Sequence, residues 1–321
     1  MKKILTQSLI AFCLGIGCLG NLTGCNPTSL ASSSQPITIY AVTTGADTLN
    51  AAVPSMQPIV VLKDGKFEDP LPEANPNASS DEYDKAMRKA YDTYFAPDGV
   101  YNLFRFGKIV GNIGIPKAPT DSTTDGLRTG IKLKIPNVTY PLALASNSDQ
   151  FSKSAFNVRD LSGGEQAELT QLSRTLFTQN GISGGLLDSV DVKDMKVFDV
   201  DGKGTQTAIG NVVIVHHETK KAEGGEGEEG DAFVATLEEN IFLVAEKQGG
   251  HFVAIQTHFM PSSSDNADLY SQDFIDMLDV DSDGVGEIVV VENGSESYSF
   301  AILKRKGGKW EEMYKGSGGS L

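Results

Sequence analysis

The stretch DVDSDGVGEIVVV, Asp279 to Val291, leaves this chain few conformational choices. Asp279, Asp281 and Asp283 alternate, Gly284 follows, and a β-branched run begins at Ile288. Aspartate and glycine favour turns, whereas isoleucine and valine favour strands. Carboxylates crowded into one turn repel each other unless something positive sits among them. Calcium takes six to eight oxygen ligands, and a short loop supplies them when carboxylates alternate and a glycine permits the tight turn. Asp279, Asp281 and Asp283, with Glu287 as a fourth carboxylate and the Val285 carbonyl as a backbone oxygen, make one expected calcium site. The plainer alternative is a series of solvated Asx-turns.

The loop resembles an EF-hand only in part. An EF-hand carries a bidentate glutamate at loop position twelve and a helix on each side. Position twelve here is Val290, inside an evident strand. Strand, aspartate loop, strand resembles instead the FG-GAP or VCBS repeats, calcium-bearing blades of β-propellers and of bacterial surface proteins. The resemblance runs from about Phe274 to Tyr314 and includes YSFAILKRKGGKWEEMY, a hairpin closed by Gly307 and Gly308. A weaker copy, about Val190 to Val215, contains DVDGKGTQTAIGNVVIV. It keeps Asp199 and Asp201 but has Lys203 and Thr207 where the third and fourth acidic residues would fall. The Lys203 ammonium is expected to neutralise the two aspartates, leaving a metal-free copy. The matches touch about a quarter of the mature chain, and two copies are fewer than the four to eight blades of a propeller.

The remaining sequence implies a mainly β, α+β architecture: antiparallel hairpins resembling FG-GAP or propeller blades, with two amphipathic helices. ITIYAV and PIVVLKDGKFEDP read as strands, the second turned at Asp64-Gly65. Ser79 with Glu82, and Ser162 with Glu165, have capping-box spacing. Tyr83, Met87, Ala90, Tyr91 and Tyr94 share one face of the first helix; Leu169, Leu172, Leu176 and Phe177 line the second, which Gly181 ends. VYNLFRFGKIVGNIGI, GIKLKIP and YPLALA add strands, and after the second helix the chain reads as successive hairpins. The expected divisions are a leader at 1–24, a lipidated tether at 25–57, a β-rich region with one helix at 58–160, and a helix with FG-GAP-like strands at 161–321. The glycine-rich acidic run Glu223 to Asp231 reads as a solvated loop.

The chain opens with two lysines and an apolar run, Leu9 to Leu19, short for a bilayer span and suited to a secretory core. It ends in Leu22-Thr23-Gly24-Cys25, which resembles the lipobox of bacterial lipoproteins. That resemblance implies cleavage before Cys25, a diacylglycerol on its thiol, and acylation of the freed amine. The other cysteines, Cys13 and Cys18, leave with the leader, so no disulfide or thiol nucleophile remains. Two or three acyl chains anchor a protein stably. The implied location is the bacterial cell envelope, with the membrane as partner through the lipid. Asn26, not being aspartate, implies outer-membrane sorting in an organism with two membranes.

Loss of residues 1–24 takes away two lysines and changes the net charge from −15 to −17. So acidic a body, with no basic cluster, is unsuited to nucleic acid. His216 and His217 fall on opposite faces of a strand, and His251 and His258 flank another. No nucleophile elbow, zinc-protease helix, phosphate loop or dinucleotide fingerprint occurs. The expected function is a non-catalytic, calcium-stabilised binding or scaffolding module for an envelope polymer or protein. The alternatives are an envelope hydrolase with a dispersed site and a structural spacer.

Overall fold

The strands Glu287–Asn293 and Ser297–Lys306 are apolar on both faces, as strands are when their sheet is covered on both sides. Their sheet lies between two others. The computed structural model describes residues 36–44, 54–72, 79–116, 127–134, 142–154, 156–221, 232–262 and 270–320. Cys25, the leader, the first part of the tether and the acidic loop Glu223 to Asp231 lie outside the described residues.

In chain order the elements are β1 (Ile37–Thr43), β2 (Ser55–Lys63), β3 (Lys66–Glu68), α1 (Ser80–Tyr94), β4 (Val100–Arg105), β5 (Lys108–Gly114), β6 (Thr129–Gly130), β7 (Lys132–Lys134) and β8 (Leu142–Ser146). There follow β9 (Val158–Asp160), α2 (Gly163–Gln179), β10 (Val190–Asp199), β11 (Gln206–Lys221), β12 (Ala232–Gln248), β13 (His251–Met260), β14 (Ser271–Leu278), β15 (Glu287–Asn293), β16 (Ser297–Lys306) and β17 (Lys309–Ser320). Short 3-10 turns cover Gln150–Ser154 and Gly184–Ser189.

All three sheets are antiparallel. The first has the order β3-β2-β1-β8-β4-β5-β7, with β6 paired to β2. The second runs β13-β12-β11-β10-β9, and the third is the meander β14-β15-β16-β17. β1 and the start of β2 lie within residues 25–57, so the first sheet begins before residue 58. The described residues form no closed barrel.

The period of two sorts side chains between layers. On β15, Val289 and Val291 pack with Ile39, Ile59 and Leu144 of the first sheet. Ile288 and Val290 pack with Phe198, Ile209 and Phe242 of the second. β16 repeats the division, with Phe300 and Ile302 one way and Ala301 and Leu303 the other. Each such aliphatic side chain taken from water is worth about 1.5–3 kcal/mol, so this central sheet is a principal source of cohesion.

The helices cover the outer faces. Ser79 and Ser162 form the expected capping boxes with Glu82 and Glu165. On α1, Met87, Ala90, Tyr91 and Tyr94 pack against Tyr40, Val42 and Leu103 of the first sheet; Tyr83, at the start of that stripe, is 45% exposed. On α2, Leu169 and Phe177 are buried against the second sheet, and Gly181, with φ 89°, follows the helix end. Asp64-Gly65, both with positive φ, turns β2 into β3 as expected.

A polar tie joins the first and third sheets. Asp276 on β14 is fully buried and accepts the backbone N–H groups of Phe106 and Met277 at 2.8 and 2.7 Å. Arg105 donates to the Ile275 carbonyl at 2.7 Å and lies 3.6 Å from the Asp276 carboxylate. The tie holds the Phe106-Gly107 turn, where both residues have positive φ.

Candidate metal centre

β14 and β15 hold the ends of the loop 279–286 in register, Leu278 opposite Glu287. Ser282 and Gly284 both take positive φ, 63° and 85°, which curls the loop back on itself. One carboxylate oxygen from each of Asp279, Asp281 and Asp283 lies within 4.8 Å of the others. Glu287 begins β15 at the base of this turn and is fully buried.

Each acid has a distinct role. Asp279, 3% exposed, accepts Ser154 Oγ at 2.5 Å and the Gly284 N–H at 3.0 Å, both on Oδ2. Asp283 accepts the Val285 N–H at 2.8 Å, an Asx-turn. Glu287 Oε2 accepts the Val280 N–H at 2.7 Å. Their other oxygens, Asp279 Oδ1 and Glu287 Oε1, are buried without a hydrogen-bond partner among the described residues. Buried carboxyl oxygens left without a hydrogen-bond partner are costly, and a positive neighbour at this turn relieves that cost.

Part of that positive charge comes from a residue the sequence did not mark. Lys304 on β16 pairs with Asp281, with Asp283 at 2.7 Å and with Glu287 Oε1 at 3.6 Å. Burial disfavours its charged form, but the carboxylates outweigh this and hold the ammonium above its ordinary pKa. Burial, opposed by the Val280 N–H and Lys304, pushes Glu287 up to about 8. Asp283 stays below the usual range despite its burial, because Lys304 and the Val285 N–H favour its charged form. With Glu287 largely protonated near neutral pH, one ammonium still faces the three aspartates, which leaves the loop short of positive charge. The donor set is all oxygen, as calcium requires, and its two buried orphan atoms are carboxylate oxygens. In these respects the residues fit the ion.

The second loop, 199–205, repeats the backbone with less negative charge. Each of its positions lies 80 residues before its counterpart. Asp199 accepts the Gly204 N–H at 3.0 Å, as Asp279 does from Gly284. Asp201 accepts the Lys203 N–H at 3.0 Å and Thr205 Oγ1 at 3.1 Å. The expected ion pair of Lys203 with these aspartates is not formed: among the described residues Lys203 contributes its backbone N–H, and its side chain is exposed. The aspartates are satisfied locally by turn hydrogen bonds, so no ammonium is drawn in. Thr207, the counterpart of Glu287, is buried and its hydroxyl has no hydrogen-bond partner among the described residues. The neighbouring guanidinium, Arg305, instead makes a two-pronged pair with Glu246 on β12 at 2.7 and 2.9 Å.

The two loops touch. Gly286 donates its N–H to the Val200 carbonyl at 2.9 Å, and Val200 and Val280 are both buried.

The histidines build no site with them. His216 lies 3.4 Å from Glu239, and Ser262 donates its hydroxyl to that same carboxylate at 2.6 Å. The serine proton thus goes to the glutamate, which is not the arrangement of a histidine-activated nucleophile. His217 bonds Thr236, His251 pairs with Glu168, and His258 stacks on Tyr270. No helix among the described residues is long and apolar enough to cross a membrane. No family model, curated protein or solved structure matches the chain.

Proposed function

We propose that this chain is a non-catalytic, lipid-anchored protein of the bacterial cell envelope, a binding or scaffolding module that calcium stabilises through the loop 279–287. The supporting observation is the group Asp279, Asp281 and Asp283, one oxygen of each within 4.8 Å of the others, at a loop where Asp279 Oδ1 and Glu287 Oε1 are buried with no hydrogen-bond partner among the described residues. A divalent cation there relieves the repulsion and desolvation that one ammonium leaves in place. Lys304 holds the acids together in the ion's absence and gives up contacts when the ion binds, so affinity belongs to the weak, extracellular range of about 10⁻⁴–10⁻³ M. The loop 199–205 is the metal-free counterpart. The β14–β17 meander, with its acidic turn between first and second strands, is read as one FG-GAP-like blade, and the β10–β13 meander as its degenerate neighbour. The lipid is carried by Cys25, and the body stands outside the membrane as a surface for an envelope polymer or protein.

The test is thermal unfolding with calcium, with magnesium and with chelator, alongside calorimetric titration of calcium. An ion that binds the folded loop alone stabilises by about 1.4 kcal/mol at ten times its dissociation constant. That shifts the midpoint by a few degrees in a protein of this size. Magnesium does less, because it demands tighter octahedral geometry. Asp281→Ala removes most of the calcium response. Equal midpoints in calcium and chelator, with no heat of binding at millimolar calcium, would reduce the loop to a lysine-closed turn.

A further inference from the structure

Where the first and third sheets separate, a cavity of about 250 Å³ opens between β2 on one side and β15–β16 on the other. Its walls include Met56, Leu142, Val291 and Phe300, and its polar groups include Gln57, Arg128 and Tyr298. Arg128 reaches it through local geometry. β6 pairs with β2 through Thr129 opposite Met56, and Leu127 and Thr129 are buried in the core. The intervening residue takes the other face of an extended chain.

This guanidinium is held by neutral groups. Nε and Nη2 donate to Gln57 Oε1 at 3.4 and 3.1 Å, and Nη2 donates to the Tyr298 hydroxyl at 3.0 Å. Tyr298 donates to the same Gln57 oxygen at 2.8 Å, which locks the three side chains together. Nη1 has no acceptor, and the charge no carboxylate, among the described residues. Other guanidinium groups packed into the structure do have one: Arg105 with Asp276, Arg159 with Glu165, Arg305 with Glu246. Arg174, whose Nε donates to the Leu187 carbonyl at 2.9 Å, also has no carboxylate among the described residues, but it is Arg128 that lines the cavity.

Asp273, also at the cavity, does not supply that carboxylate. Its two oxygens accept the Asn211 and Asn293 amides at 2.9 and 2.8 Å. Its negative charge is thus engaged elsewhere, and its carboxyl is bridged into the second sheet.

We infer that this cavity is a binding site for a small organic carboxylate, whose carboxylate meets Arg128 and whose apolar body lies against Phe300, Val291, Leu142 and Met56. A planar guanidinium matches a carboxylate in shape and charge, and a partly desolvated pair is stronger than one in water. The volume is below the roughly 300–1,000 Å³ of drug-sized sites, so the ligand is of single-ring size or a short acyl chain. The inference deepens the binding-module reading by naming a ligand class, and it does not depend on the calcium loop.

The experiment uses the protein as produced in the cell and titrates it with benzoate and with the neutral isostere benzamide, by calorimetry and thermal shift, each in calcium and in chelator. Benzoate is expected to bind saturably and at least tenfold more tightly than benzamide. Arg128→Gln is expected to lose that preference, and Arg128→Lys to keep part of it. Equal binding of the two probes, or no binding of benzoate at millimolar concentration, would overturn the inference without requiring any variant to fold. So would a folded Arg128→Gln protein that binds benzoate as the wild type does. Benzoate binding that persists in chelator, in a protein showing no calcium response, leaves this site standing while the calcium reading fails.

Discussion

The backbone N–H of Gly286 donates to the carbonyl of Val200 at 2.9 Å, so the acidic loop of the third sheet is bonded to its counterpart in the second. The contact depends on glycine. A Cβ at residue 286 would sit 2.5 Å from Met277 Sδ and 2.7 Å from Phe156 Cζ. Gly286→Ala is therefore expected to destabilise by about 1–3 kcal/mol, the usual cost of overpacking. Denaturant unfolding checks this, and an unchanged midpoint would mean that the two loops are not tightly packed.

Lys304 serves the acidic loop as a tethered cation. Lys304→Met leaves Asp281, Asp283 and Glu287 without their ammonium, so in chelator it should cost about 1–3 kcal/mol, the usual cost of a buried polar group left unsatisfied. In saturating calcium most of that loss should be recovered, and calcium should bind several-fold more tightly because no ammonium has to yield. The measurement is the difference between calcium and chelator midpoints, compared with wild type. A smaller calcium response in Lys304→Met would show that the lysine supports the ion instead of competing with it.

Asp276 makes a prediction about pH. Burial pushes its carboxyl up to about 6 from 3.8, against the opposing pull of Arg105 and the Met277 and Phe106 N–H groups. A carboxyl raised in the folded state binds its proton more firmly there than in the unfolded chain. Its contribution is complete below about pH 3.8 and is lost as pH rises through about 6. Relative to Asp276→Asn, which does not titrate, the wild type should lose on the order of 2–3 kcal/mol of stability across that window. Parallel stability curves for the two proteins between pH 4 and 7 would place the Asp276 pKa near its unfolded value.

Glu165 should behave in the opposite sense. The Arg159 pair foremost, together with Ser162 and Lys247, holds its carboxyl well below the usual range despite its burial. Its contribution is present above about pH 4.5 and is lost as pH falls through its depressed folded value. Glu165→Gln should therefore destabilise more at pH 7 than at pH 2.5. Equal effects at the two pH values would assign the role of Glu165 to the helix cap alone.

Cys25→Ser removes the thiol on which the lipobox reading depends. Acylation should be abolished, leaving uncleaved precursor in the membrane or a misprocessed soluble form. Mass spectrometry and detergent partitioning check this, and a normal mass with normal partitioning would exclude Cys25 as the lipid site.

Features specified by neighbours in sequence are legible in short sequence patterns. The Ser79–Glu82 and Ser162–Glu165 boxes, the Asp64-Gly65 turn and the strand on either side of 279–287 each follow from hydrogen bonds or dihedral preferences spanning a few residues. The continuous apolar runs of β15 and β16 announced strands, but not that a second and a first sheet would cover their two faces. For the acidic loop the expected cation is calcium, and nothing local points to Lys304, twenty-one residues beyond Asp283 and one strand away. Ser154, which closes on Asp279, is 125 residues distant, and the Arg128–Tyr298 contact spans 170. No local rule reaches such pairs. Backbone preferences and turn chemistry act within a few residues and are written in short patterns, whereas which strands lie face to face is decided by burying apolar area across the whole chain. The sequence thus determined the acidic hairpin and the capped helices, and only sheet packing decided which charges meet there.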